Sequence, residues 1–196
     1  MHIAAAALDR AAAYRLFISA VVPRPIAWVG SISAEGVDNL APFSYFMGVS
    51  SAPPMLAFSV ARTRDGGLKD TARNVLATGE FTVSIPEEAT LDAMHQTSAA
   101  YTGSEFDGVG IARAVSVRVA PPRVALARVA LECRVHQTLE VGNCLLVVGE
   151  VVEFHVADEL WENGAVRLAD YRPVARLGGD AYTTLGRVLH RPPAKP

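Results

Sequence analysis

Two long runs of strand-forming residues, Ala127 to Leu139 and Asn143 to Val156, are joined by Glu140-Val141-Gly142-Asn143. So short a connection returns the chain antiparallel, because a parallel pair needs a crossover of about a dozen residues or more. The earlier pattern agrees. Pro23 and Pro25 forbid helix and set an extended entry into Ile26 to Ser33, a β-branched, Trp-containing run. Glu35-Gly36 reads as a hairpin turn, and a second strand returns from Asn39, with Pro42 marking an edge or a bulge. Met55 to Val60 follows Pro53-Pro54, and Phe81 to Ile85 alternates as another strand.

Helical periodicity is confined to short stretches. Residues 8–18 form an amphipathic arm. Over 68–78, Leu68, Ala72, Val75 and Leu76 share one face, and Gly79 stands where a helix ends. Pro86-Glu87-Glu88 opens a second central helix whose buried side is expected to carry Leu91, Met94 and His95. Residues 97–110 read as a loop or mobile segment, and the tail from Tyr171 carries Gly178-Gly179 and frays toward Pro192-Pro193. Six or seven short strands with two central helices predict a mainly β, antiparallel barrel rather than a doubly wound sheet. No Gly-x-Gly-x-x-Gly follows the first strand, which weighs against a Rossmann nucleotide site.

At 196 residues the chain fits one domain; 51% hydrophobic and 19% charged residues exclude disorder. A formal net charge of −2, with arginines scattered, argues against nucleic acid as a partner. Ile3 to Leu8 is too short and too quickly followed by Asp9-Arg10 to be a signal core, and no apolar run approaches the ~18 residues that span a bilayer. Cys133 and Cys144 provide no disulfide framework, so a cytoplasmic location is expected. Cys133 and His136 point to opposite faces of one strand and cannot ligate a metal together.

The chemistry concentrates in two stretches. The helix starting near Lys69-Asp70-Thr71 is preceded by Arg62, Arg64, Asp65 and two glycines. A helix start offers unpaired N–H groups and about half a positive charge; Lys69 adds an ammonium, Thr71 a hydroxyl, and Arg62 or Arg64 a bidentate fork. Together they suit a phosphate monoester. Phe43-Ser44-Tyr45-Phe46-Met47 reads as a strand with Ser44 and Phe46 on one face, able to meet a planar heterocycle, while Ser59 on the next strand adds a hydroxyl. A ring carrying a phosphate points to FMN, with pyridoxal phosphate as the other candidate. Neither a catalytic triad nor a Gly-x-Ser-x-Gly elbow occurs, and a flavin needs neither.

Arg24-Pro-Ile-Ala-Trp-Val, Asn39-Leu-Ala-Pro-Phe-Ser and Lys69-Asp-Thr-x-x-Asn, with Leu131-Glu-Cys, Gly149-Glu-Val-Val and Arg176-Leu-Gly-Gly, resemble the flavin reductase-like family over most of the chain. The resemblance implies a mainly β, antiparallel, Greek-key split barrel with a few flanking α-helices, as one domain over 1–196 with a helical arm at 1–20 and a flexible tail at 186–196. It implies FMN bound at a homodimer interface. Ser44, Tyr45 and Phe46 would contact the flavin ring, largely through backbone. Ser59 and Arg62 would reach the ribityl chain and phosphate, and Lys69 and Thr71 would close on the phosphate. Asn39 would sit near the flavin, and Arg176 and Tyr182 near the cofactor or the nicotinamide pocket. Met47 departs from the polar Asn that the pattern carries after the double aromatic. The implied activity is hydride transfer from NADH or NADPH to FMN, with a flavin-dependent monooxygenase as a possible recipient of reduced flavin. The alternatives are an FMN-binding electron-transfer or carrier protein, and a pyridoxine-phosphate oxidase or haem-binding split barrel.

Overall fold

The computed structural model describes residues 1–192. After a 3-10 turn at Ala5–Ala7, helix α1 (Arg10–Ala20) is capped by Asp9, which accepts the Ala12 N–H at 2.7 Å. The prolines then hold the chain extended through β1 (Arg24–Pro25), β2 (Ala27–Ile32), β3 (Asp38–Phe43), β4 (Phe46–Ser51) and β5 (Pro54–Ala61). Helix α2 (Asp70–Thr78) leads into β6 (Glu80–Ser84), and helices α3 (Leu91–Gln96) and α4 (Glu105–Val109) precede the short pair β7 (Arg113–Ala114) and β8 (Arg123–Val124). The long hairpin is β9 (Val129–Val141) with β10 (Cys144–Val156). Another short pair, β11 (Trp161–Glu162) and β12 (Ala165–Val166), precedes β13 (Val174–Arg176) and β14 (Tyr182–Thr184). Residues 185–192 carry no helix or strand, and the last part of the expected tail, 193–196, lies outside the described residues.

Seven strands form one antiparallel sheet in the order β3-β2-β6-β9-β10-β5-β4. Its outer strands, β3 and β4, are consecutive in the chain and separated only by the bend Ser44–Tyr45. Two residues span at most about 10 Å between flanking Cα atoms. The sheet therefore curls enough to bring the end of β3 beside the start of β4, although among the described residues no ladder joins those two strands. The expected aromatic strand through Ser44 is thus two strands, with Ser44 and Tyr45 at the break. The tail also contains more order than composition suggests, because β13 and β14 join β1 in a three-stranded sheet.

Strand β2 is buried on both faces. Ala27 and Val29 join Phe43, Phe58, Phe81 and Val147 inside the curl, where successive aromatic centroids lie 5.3 and 5.2 Å apart. Trp28 and Ile26 face outward onto Met94, Phe106, Val124 and Val174. Phe106 explains why 97–110 is not simply a loop: a fully buried aromatic anchors α4 in a Gly-rich segment. Two expected core positions are exposed instead, Leu76 on α2 and His95 on α3. Among the described residues no helix is long and apolar enough to cross a membrane.

Glu132, fully buried on β9, ties the segment before β8 to the sheet. It accepts N–H bonds from Val117, Arg118 and Val119 at 2.8, 2.5 and 3.2 Å, and His155 Nε2 lies 2.6 Å from its Oε1. Burial pushes this carboxyl up, but the Val117 and Arg118 donors and His155 hold it below its ordinary value of 4.5. A depressed pKa stabilises the fold at neutral pH, and that contribution disappears as pH falls through the folded-state value. The Glu132 contribution to the urea midpoint should hold from pH 7 to about pH 5 and fall away as pH drops below 4.5, and Glu132→Gln should lower the midpoint at pH 7 while flattening that acid limb. A Cβ on Gly149 would lie 2.4 Å from the Phe81 ring. Gly149→Ala should therefore cost about 1–3 kcal/mol in urea denaturation.

Candidate functional site

The N-terminus of α2 opens the site. Lys69 occupies the N-cap in extended conformation without a side-chain hydrogen bond, so no side chain caps the first-turn N–H groups. The helix stops at Gly79, whose φ of 71° is left-handed and whose N–H closes on the Val75 carbonyl. Its inner face, Thr71, Ala72, Asn74 and Val75, packs on β2 and β3. A buried polar cluster fixes that contact. Asn39 Nδ2 donates to Thr71 Oγ1 at 2.9 Å and to Ser31 Oγ at 3.3 Å, and Asn74 Nδ2 donates to Ser31 Oγ at 3.2 Å. Because Thr71 Oγ1 accepts from Asn39, its hydroxyl hydrogen is left to donate elsewhere.

In front of this helix start lies a groove of about 500 Å³, floored by Asn39, Ala41, Pro42 and Phe43 of β3 and walled by Thr97 to Tyr101. Trp28 positions that wall: its Nε1–H donates to Thr97 Oγ1 at 2.9 Å, and the Thr97 hydroxyl donates to the Met94 carbonyl at 2.8 Å. Glu105, 7% exposed, also borders the groove and accepts the Leu40 N–H at 2.9 Å. Burial, with Asp38 nearby, pushes its carboxyl above its ordinary value despite the Leu40 bond.

Pro42 and Ser98 also border a second pocket of about 220 Å³, so the two cavities adjoin. Ser44, His95, Arg176 and Tyr182 line this second pocket. Tyr182 Oη lies 3.0 Å from His95 Nδ1, and the Arg176 guanidinium carbon stands 4.3 Å over the Tyr182 ring. Behind Ser44 is Arg24, 5% exposed, which donates to the carbonyls of Ile18, Val21 and Leu177 at 2.5, 2.8 and 2.9 Å. Its Nε lies 3.4 Å from Ser44 Oγ.

Six of the ten sequence-predicted residues thus line adjoining cavities: Asn39, Lys69 and Thr71 at the helix end, and Ser44, Arg176 and Tyr182 at the other. The other four line neither. Tyr45 turns toward α1, edge-on to Phe17 with centroids 5.9 Å apart, where burial and nearby Tyr14 push its phenol pKa up. Phe46 packs on the inner core, and Ser59 donates its N–H to the Tyr45 carbonyl at 2.9 Å. Arg62 is bound to Glu140 at 2.5 Å and to the Gly66 carbonyl at 3.0 Å, away from the helix start. Met47 is exposed on β4. Sequence reasoning missed Arg24, His95, Ser98 and Glu105; only Arg24 carried a signal, a cation opening a β-run.

Comparison with known proteins identifies the family and the fold. Residues 19–173 match the flavin reductase like domain. An uncharacterized protein of Halalkalibacterium halodurans is 38% identical over 195 residues, covering 94% of this chain and 93% of its own. The crystal structure of nitrilotriacetate monooxygenase component B from Bacillus cereus superposes with a TM-score of 0.95 at 34% identity, covering 97% of this chain and 98% of that one. A Shewanella frigidimarina protein described as a flavin reductase with a split barrel domain shares the fold, with a TM-score of 0.86 at 23% identity over 99% of this chain and all of its own, 100%. The chain therefore belongs to the flavin reductase like domain family.

Proposed function

We propose that the protein binds FMN in the groove before α2 and uses it to accept hydride from NADH or NADPH. The observation that carries this reading is the open start of α2, facing a groove over Asn39 to Phe43, with the second pocket opening beyond Pro42 and Ser98. Among the described residues Lys69 has no ion-pair partner. A phosphate there would meet free N–H groups, the positive end of the helix, the Lys69 ammonium and the Thr71 hydroxyl. Asn39 keeps that hydroxyl turned, by holding its oxygen. Ala41, Pro42 and Phe43 offer an apolar floor on which a planar ring would lie. Bound flavin supplies the hydride chemistry, and the chain supplies grip and orientation.

A second copy of the chain completes this reading. Met47 and Val49 on β4 and Tyr14, Leu16 and Phe17 on α1 are all largely exposed, and an apolar cavity of about 910 Å³ lies between α1 and Tyr45. Exposed apolar surface of that extent favours association, which would place the β4–β5 residues Tyr45, Phe46, Ser59 and Arg62 near a shared interface. Likeness to a monooxygenase component supports delivery of reduced flavin to a partner enzyme.

Purified protein should be yellow, and anaerobic addition of NADH or NADPH should bleach the flavin band. Retained colour with both nucleotides would move the reading to an electron-transfer or flavin-carrier protein. Lys69→Ala should weaken FMN binding about tenfold by fluorescence titration; unchanged affinity would remove the phosphate assignment.

A further inference from the structure

The pocket beside the cofactor groove carries positive charge that a flavin ring and phosphate do not require. Its polar wall is Arg176, Tyr182, Tyr14 and His95 with the hydroxyls of Ser44 and Ser98, and among the described residues no carboxylate lines it. Arg24 and Arg176 are direct partners across the β1–β13 ladder. Like charges placed opposite one another in a sheet are destabilising. Among the described residues neither guanidinium takes part in an ion pair. Arg24 is buried on carbonyl oxygens alone apart from Ser44 Oγ, and Arg176 donates to the Gly179 carbonyl at 2.5 Å while its plane covers Tyr182. Arg24, buried without a counter-ion, carries a desolvation cost that an arriving anion would offset.

The remaining wall is apolar: Ile26, Pro42 and Met94. A volume of about 220 Å³ suits one ring and is too small for a dinucleotide. We propose that this pocket is a subsite for a planar aromatic carboxylate. Arg176 and Tyr182 take the carboxylate, Arg24 adds its field through Ser44, and the ring lies on Ile26, Pro42 and Met94. The use of such a subsite rests on the flavin reading, because Pro42 and Ser98 are common to both cavities and a ring held here lies beside the cofactor groove. A dinucleotide phosphate is the other possible source of negative charge, and the apolar wall argues for a ring.

Calorimetric titration of the purified, FMN-loaded protein with benzoate, benzamide and inorganic phosphate tests this. Benzoate should bind at least about tenfold more tightly than benzamide, and phosphate should not displace it. Arg176→Gln should abolish the preference for benzoate, Arg176→Lys should restore part of it, and Tyr182→Phe should weaken benzoate about threefold to tenfold. Circular dichroism melting checks that each variant folds. Equal affinity for benzoate and benzamide, or displacement by phosphate, would overturn the subsite. FMN uptake is measured separately. A yellow protein indifferent to benzoate overturns the subsite alone, whereas a protein that takes up no FMN overturns the flavin reading, and its own benzoate titration still decides the subsite.

Discussion

Strand β2 has no solvent face, and the arrangement of the site follows from that. Its inward residues, Ala27 and Val29, share a core with Ala72 and Val75, so α2 is seated against the sheet at a fixed height. Its outward Trp28 packs with Met94 and Phe106 and, through Nε1, holds Thr97. One strand of six residues thus positions both the helix start and the wall opposite it. Continuous apolar character, rather than alternation, is what burial on two faces demands. Residues at 26–29 are accordingly apolar throughout.

The punctuation of the chain made much of this legible. Pro23 and Pro25, Gly36, Pro53-Pro54 and Gly79 each stand where an element begins or ends, because each restricts the backbone in a way that only turns, extended entries or helix ends tolerate. The start of α2 could be read because a cation and two small polar residues open an amphipathic run. The break at Ser44–Tyr45 could not, since neither glycine nor proline marks it and strand-forming aromatics stand on both sides. Neither could α4, whose anchor Phe106 lies in a segment with the composition of a loop. Arg62 shows a different limit: its partner Glu140 is 78 residues away at the tip of the long hairpin, and no local pattern encodes that choice. His95 was misplaced because helical period alone does not say which way a short helix is turned; Tyr182, from a distant strand, holds its ring at the surface.

Buried charge is treated in two different ways in this molecule. Glu132 is surrounded by N–H donors, and Glu87 is clasped by Arg128 at 2.8 and 2.6 Å and by the Arg172 N–H at 3.0 Å. These acids brace segments that carry little secondary structure, and each has the donors that burial requires. Arg24 is given carbonyl dipoles instead of a counter-ion, and Arg176 is stacked on a ring. The fold satisfies their hydrogen bonds without cancelling their charge.

The open ladder between β3 and β4 has a mechanical meaning. Everywhere else in the large sheet, separating two neighbours would sever backbone hydrogen bonds. Between β3 and β4 the described residues show no such bonds, so that corner is held by the two-residue link and by side-chain packing. Pro42 borders both cavities and Ser44 the second, so the path of the chain around that corner sets where the two cavities meet.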